Sequence, residues 1–364
     1  MEEKFSAHKG CLLGMAIGDA LGYTVDDKTW QEIQDLYGPN GLMGFDMQES
    51  EFAQVSSYTQ IAAFLCNGLL LAVSRGKTDY LRYASVALKE WARGQQFYRD
   101  PEESHCWIAK LPMFRHRHCR DARMLGCLRL AQFGTVDTPK NDNTAPGAIT
   151  AAVAIAMFYN EKRLTPQQVG ALAGELIALT HGNPETFLSG VVLAYALTGI
   201  LQEPQVPLMD QFLQAIDVMD GQFRNRFFQA EELAVQLRRA IALAKSGTVT
   251  LQEGMEQLAC IDTSQCLAGA IFASLLCPND FDSAIVTAVN HSGFSSATGA
   301  MVGAIMGAKL GVDALPEFYL ESLECKDVLG ILAEDIVSAT ATLSVFDDSW
   351  DHKYVQGLPP EGIN

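Results

Sequence analysis

The sequence predicts a single all-α domain of 364 residues. Apolar residues recur at helical spacing in segment after segment, and alternating β-branched strands bounded by turn pairs are nearly absent. No repeat or low-complexity linker divides the chain. Hydrophobic residues at 48% and charged residues at 19% are the balance of a folded chain rather than a disordered one, and the length allows a large core.

The first apolar run, M-E-E-K-F-S-A-H-K-G-C-L-L-G-M-A-I-G-D-A-L-G, carries acids at its start and Asp19 within it, which argues against a secretory signal peptide. Residues 59–73, T-Q-I-A-A-F-L-C-N-G-L-L-L-A-V, are apolar nearly all round and predict a central buried helix. Residues 165–179 predict a helix with Thr165 as N-cap and Pro166 at its first position. Residues 187–201 and 230–244 follow the same periodicity, the second with Arg238 and Arg239 on its outer side. Residues 326–343 complete the set, with loops expected at 24–57, 94–120, 133–146 and 203–209 and a C-terminal tail at 344–364. Alanine and glycine are dense near Ala148, Ala173 and Gly299, where small side chains let helices approach closely.

Acidic residues outnumber basic ones 43 to 26, for a formal net charge of -17. A field of that sign repels phosphate backbones, so no nucleic-acid partner is expected. A local pocket sets its own potential and can still take a small phosphate-bearing ligand. No apolar run reaches the roughly 18 to 20 uninterrupted residues of a membrane span, so no membrane partner is expected either. The nine cysteines are scattered without a C-x-x-C pair and read as free thiols in a reducing cytoplasm.

Four segments are richer in glycine and polar residues than packing requires. The first is G-M-A-I-G-D-A-L-G-Y-T-V-D (14–26). The second joins L-Y-G-P-N-G-L (36–42) to V-S-S-Y-T-Q-I (55–61). The third joins N-D-N-T-A-P-G-A-I-T-A (141–151) to L-T-H-G-N-P (179–184). The fourth is A-V-N-H-S-G-F-S-S-A-T-G-A (288–300), followed by G-A-K-L-G-V-D-A-L-P (307–316).

In order and spacing these segments resemble the ADP-ribosylglycohydrolase family, the group that includes the dinitrogenase reductase-activating glycohydrolases, from about residue 10 to about residue 336. The resemblance implies a compact all-α fold. For active members it implies two magnesium ions in a central cleft and hydrolysis of the glycosidic bond joining ADP-ribose to a side chain or small molecule. Magnesium demands oxygen ligands in octahedral geometry, and two adjacent dications need several carboxylates. Active members supply them as a Ser/Thr-Asp-Asp-Thr run early in the chain and an Asp-x-Asp-Ser/Thr run after Asn-His-x-Gly.

At the early run this chain has Ser56, Ser57, Tyr58 and Thr59; at the late run it has Phe294, Ser295, Ser296 and Ala297. All four aspartates and the late hydroxyl ligand are replaced, so no magnesium cofactor is expected here. Asp26 falls where the family has a glutamate, and Thr144, Pro146 and Ala151 fall where it has a lysine, a cysteine or asparagine, and an arginine. Tyr58 and Phe294 are expected to face each other across the emptied site.

Other candidates have two readings each. Asp26 reads as a general base that lacks metals to orient its substrate. Asp19 reads as a catalytic acid or as a carboxylate capping a neighbouring helix. Tyr37, Gly38 and Gly41 read as a loop beside the ligand or a plain turn, and Gly147 as a further ligand-binding position. His181 and His291, at family motif positions, read as ligand-binding candidates, hydrogen-bonded to nearby loops rather than catalytic. R-H-R-H-C-R-D-A-R (115–123) is the one local basic cluster, by default a solvated or carboxylate-paired face. A pyrophosphate contact, or a zinc site at His116, His118 and Cys119, is the alternative there.

Three functions follow. The favoured one is an inactive family member that keeps a cleft for a nucleotide-like or other small ligand. The others are a hydrolase with its chemistry moved to Asp26, Asp19 and His291, and a structural or regulatory partner of an active relative.

Overall fold

The computed structural model describes residues 2–47, 50–96, 103–130, 132–161, 163–341 and 347–363, and the described residues form seventeen α-helices and no strand. The first eight are α1 (Glu2–Tyr23), α2 (Trp30–Tyr37), α3 (Ser57–Ser74), α4 (Tyr80–Gln96), α5 (Ala122–Leu128), α6 (Ala151–Phe158), α7 (Pro166–Ala178) and α8 (Pro184–Gln202). The rest are α9 (Leu208–Phe223), α10 (Gln229–Ser246), α11 (Leu251–Leu258), α12 (Thr263–Leu276), α13 (Phe281–Val289), α14 (Ser295–Leu310), α15 (Glu317–Ser322), α16 (Lys326–Ala341) and α17 (Asp348–Tyr354).

Glycine spacing fixes the centre of this array. α1 carries Gly10, Gly14, Gly18 and Gly22, and α14 carries Gly299, Gly303 and Gly307. A spacing of four keeps each set on one helix face. The two faces meet antiparallel, backbone against backbone. A Cβ added at Gly18 would lie 2.0 Å from the Gly299 carbonyl oxygen, and one at Gly10 would lie 2.3 Å from that of Gly307. At Gly22 the obstacle is the carbonyl of Ser295, 2.3 Å away. The close approach expected near Gly299 is therefore real, and it brings the end of α1 to the start of α14.

The expected helices form with modest shifts. α3 is buried nearly all round, as its composition predicts. α7 begins in a capping box, Thr165 with Gln168, with Pro166 at its first position. α8 starts three residues earlier than expected because Asn183 caps it, accepting from the Glu185 amide at 2.9 Å. α16 ends at Ala341, and the expected end at residues 342–343 lies outside the described residues.

Three expectations need correction. The loop expected at 24–57 contains α2, whose capping box joins Thr29 and Glu32 at 2.7 Å. The tail expected at 344–364 contains α17, which docks by burying Trp350 and Tyr354. Its Lys353 ammonium and Tyr354 hydroxyl both bond Asp335 at 2.6 Å, so a largely buried carboxylate gains a cation and a donor. By length and composition α3 and α8, of 18 and 19 residues, reach what a membrane span needs. Yet 89% and 78% of them are buried inside the fold, as core helices are.

Candidate functional site

The α1–α14 contact places the first motif between two helix starts. Asp19, fully buried in α1, accepts four hydrogen bonds at the start of α3. They come from the Ser56 amide (3.0 Å) and hydroxyl (2.5 Å) and the Thr59 amide (3.0 Å) and hydroxyl (2.6 Å). Burial pushes its carboxyl up to about 6, while these donors pull it back down. Asp26, in the turn after α1, accepts from the Ser296 amide at 2.9 Å and from the Ser296 hydroxyl. Burial raises its carboxyl too, against the Ser296 bonds and the Arg120 guanidinium. Each run at a family metal-ligand position thus opens a helix, and each opening is held by a carboxylate from the first motif.

Between the two helix starts lies a cleft of about 500 Å³. Of the expected residues, Asp26, Ser56, Ser57, Tyr58, Gly147, Phe294 and Ser296 line it. Asp19, Ala297, His181 and His291 do not, and all four are fully buried. His291 accepts from the Gly293 amide at 2.9 Å, and burial pushes its imidazole down to about 4. Tyr37, Gly38 and Gly41 also lie outside the lining. Tyr37 donates its hydroxyl to Asp46 at 2.9 Å, and Asn290 clamps both the amide (2.8 Å) and the carbonyl (2.9 Å) of Leu42. Gly41, at φ 72°, has no room for a side chain, since a Cβ would meet the Asn290 oxygen at 2.2 Å. That loop is built as a clamped turn. Tyr58 and Phe294 share the cleft, but neither ring is paired with another among the described residues.

The basic run does not sit as a wholly solvated face: His118 to Arg123 form one wall of the cleft. His118 donates Nδ1 to the Val55 carbonyl at 2.6 Å and packs against Tyr23, with ring centroids 5.1 Å apart. Arg120 pairs with Asp27 and covers Tyr23 at 5.3 Å. His116 turns to Glu324 at 3.2 Å, and burial pushes the Cys119 thiol up to about 12. Among the described residues no group of three or more His, Cys, Asp and Glu side chains is placed to hold a metal ion.

Sequence reading missed Asp121, although D-A-R-M has the form of a helix N-cap. Asp121 caps α5 through the Met124 amide (2.9 Å) and also accepts from Asn143 (2.8 Å) and from Nε2 of buried His181 (3.1 Å). Burial alone would raise this carboxyl; the bond and charge of His181, with the other donors, hold it at about 2. The cleft therefore carries one firmly ionised carboxylate latched from behind.

The family's metal-ligand positions carry no carboxylate in this chain. The family positions present neutral hydroxyls at Ser56, Ser57, Tyr58 and Ser296 and no oxygen side chain at Phe294 or Ala297. The carboxylate beside them, Asp26, has both oxygens on Ser296. Hard dications in adjacent octahedral sites need several anionic oxygens.

A family model described as ADP-ribosylglycohydrolase matches residues 1–344. The chain belongs to the ADP-ribosylglycohydrolase family. It is 23% identical over 321 residues to the ADP-ribosyl-[dinitrogen reductase] glycohydrolase of Rhodospirillum rubrum, covering 87% of this chain and 90% of that protein. It is 24% identical over 366 residues to ADP-ribosylhydrolase ARH3 of Bos taurus, covering 91% and 92%. A solved structure titled an ADP-ribosylglycohydrolase-related protein complex superposes with a TM-score of 0.62 at 20% identity, covering 93% of this chain and all of that one. At that identity the superposition speaks for the ADP-ribosylglycohydrolase fold, and the cleft just described lies within the family's matched region.

Proposed function

We propose that this family member has lost the di-magnesium site and with it ADP-ribosyl hydrolysis, and that its cleft binds a small nucleotide-like ligand. The observation that carries this reading is the late run. Where the family places two aspartates, Phe294 brings a ring to the cleft wall and Ser296 is committed to Asp26. The cleft keeps what a nucleotide needs, which is aromatic rings, two arginines and backbone-rich turns around Gly147. Calorimetry with magnesium and release of ADP-ribose from arginine- or serine-linked substrates test the loss. No magnesium heat and no release are expected, whereas magnesium-dependent release would overturn it. Thermal shift with AMP or ADP-ribose tests the retained cleft.

A second reading is favoured by one observation. Asp26 and Asp121 line the same cleft with their carboxyls pushed in opposite directions, the pattern of an acid and a base working without metal. Under that reading metal-free hydrolysis is found and Asp121→Asn abolishes it. Asp19 and His291 have no direct part in it, because neither lines the cleft.

A further inference from the structure

Besides the His118 imidazole, three rings border the cleft, and two of them are already in use. Tyr23 is covered by His118 and by Arg120, and Tyr58 is buried beneath the wall with 8% exposure. Phe294 is half-buried and has no ring or cation partner among the described residues. It stands at a junction: a side pocket of about 240 Å³ shares Asp27, Ile261 and Phe294 with the main cleft. Ile261, 61% exposed, borders both chambers, so an apolar sill separates them.

The sill is held rigidly. Ala259 and Cys260 adopt left-handed backbone at φ 62° and 51°, a conformation that persists only where its surroundings impose it. The Cys260 carbonyl accepts from the Phe294 amide at 2.9 Å and from the Cys266 thiol at 3.2 Å. Gly293 permits the approach, since a Cβ there would lie 2.5 Å from that carbonyl. A half-buried ring on a constrained backbone, with no ring or cation partner, is suited to stacking a planar ring at little ordering cost.

The cations divide in the same way. Arg120 is neutralised by Asp27. Arg123 is exposed and has no hydrogen bond or ion pair among the described residues, on a chain of net charge -17. An unpaired guanidinium in a cleft is free to form a bidentate, charge-assisted contact with a phosphate.

We propose that the ring of Phe294, flanked by Ile261, carries the planar base of a bound nucleotide, and that Arg123 takes its phosphate. This rests on the nucleotide-binding reading above and assigns the two ends of the ligand. The base then occupies the place where active relatives hold metal, which makes the loss of the aspartates a change of ligand contact.

The test is calorimetry with AMP, adenosine and ribose 5-phosphate on the full chain and three variants. Phe294→Leu is expected to weaken AMP and adenosine about tenfold and to leave ribose 5-phosphate unchanged. Arg123→Gln is expected to weaken AMP and ribose 5-phosphate by about the same factor and to spare adenosine. Ile261→Ser, at a position 61% exposed, is expected to weaken AMP and adenosine in the same sense as Phe294→Leu. AMP binding that is unchanged in Phe294→Leu and Ile261→Ser overturns the assignment and leaves the nucleotide reading standing. Failure of all three probes to bind the parent chain overturns both.

Discussion

Gly18→Ala probes the contact that sets the spacing of the cleft. A Cβ there would lie 2.0 Å from the oxygen and 2.5 Å from the carbon of the Gly299 carbonyl. Carbon and carbonyl oxygen approach no closer than about 3.3 Å in ordinary packing, so the two helices must separate by about 1 Å or more. The obstacle is helix backbone, which no rotamer change can relieve. Overpacking of this kind costs about 3 kcal/mol, the upper part of its usual range, and the better helix propensity of alanine offsets about 1 kcal/mol. The net loss is about 2 kcal/mol. Unfolding entropy of about 2.1 cal/mol/K per residue over 364 residues converts that to a fall in Tm of about 3 °C. Gly221→Ala is the control, because its Cβ meets nothing within 4 Å. It should raise stability slightly by propensity alone. Scanning calorimetry on both variants gives the answer: equal or same-signed shifts would refute the idea that the glycine faces are in obligatory contact.

Two carboxyls should give opposite pH signatures. Asp19 is raised from 3.8 to about 6, so the folded state holds its proton more tightly. Its contribution is present below about pH 4 and lost as pH rises through about 6, about 3 kcal/mol in all. Denaturant unfolding at pH 4 and 6.5 should show that loss in the parent chain and not in Asp19→Asn; parallel behaviour would count against it. Asp121 is lowered from 3.8 to about 2, so its contribution of about 2 kcal/mol is present above about pH 4 and lost as pH falls through 2. His181→Gln should flatten unfolding curves between pH 4 and 2, and an unchanged slope would show that His181 does not hold Asp121 ionised. Replacing Ser57, Tyr58, Phe294 and Ser296 together by Asp should create magnesium binding detectable by calorimetry, since all four line one cleft. A folded quadruple variant with no magnesium heat would show that these positions do not face a common metal volume.

Much of the fold was legible because its signals are local. The apolar run at 59–73 and the T-P-Q-Q start at Thr165 needed only periodicity and capping to be read, and α3 and α7 form where they should. α2 also has a local signal, the capping box in T-W-Q-E, but it is a single short one amid a polar stretch. α17 was not, because its docking depends on Asp335, which lies in another helix.

By itself the sequence determined the family, the helical class and which family ligand positions lack carboxylates, since all three are matters of residue identity and order. Only the tertiary structure decided what the neighbouring acids and the basic run do. Asp19 and Asp26 look alike in the first motif, yet one closes the start of α3 out of reach and the other holds α14 at the edge of the cleft. The basic run read as surface until folding laid His118 to Arg123 along the cleft wall. His181 became the latch behind Asp121 across 60 residues of chain. Such roles depend on which groups share a small volume, and that is set by how the glycine faces of α1 and α14 let their backbones meet.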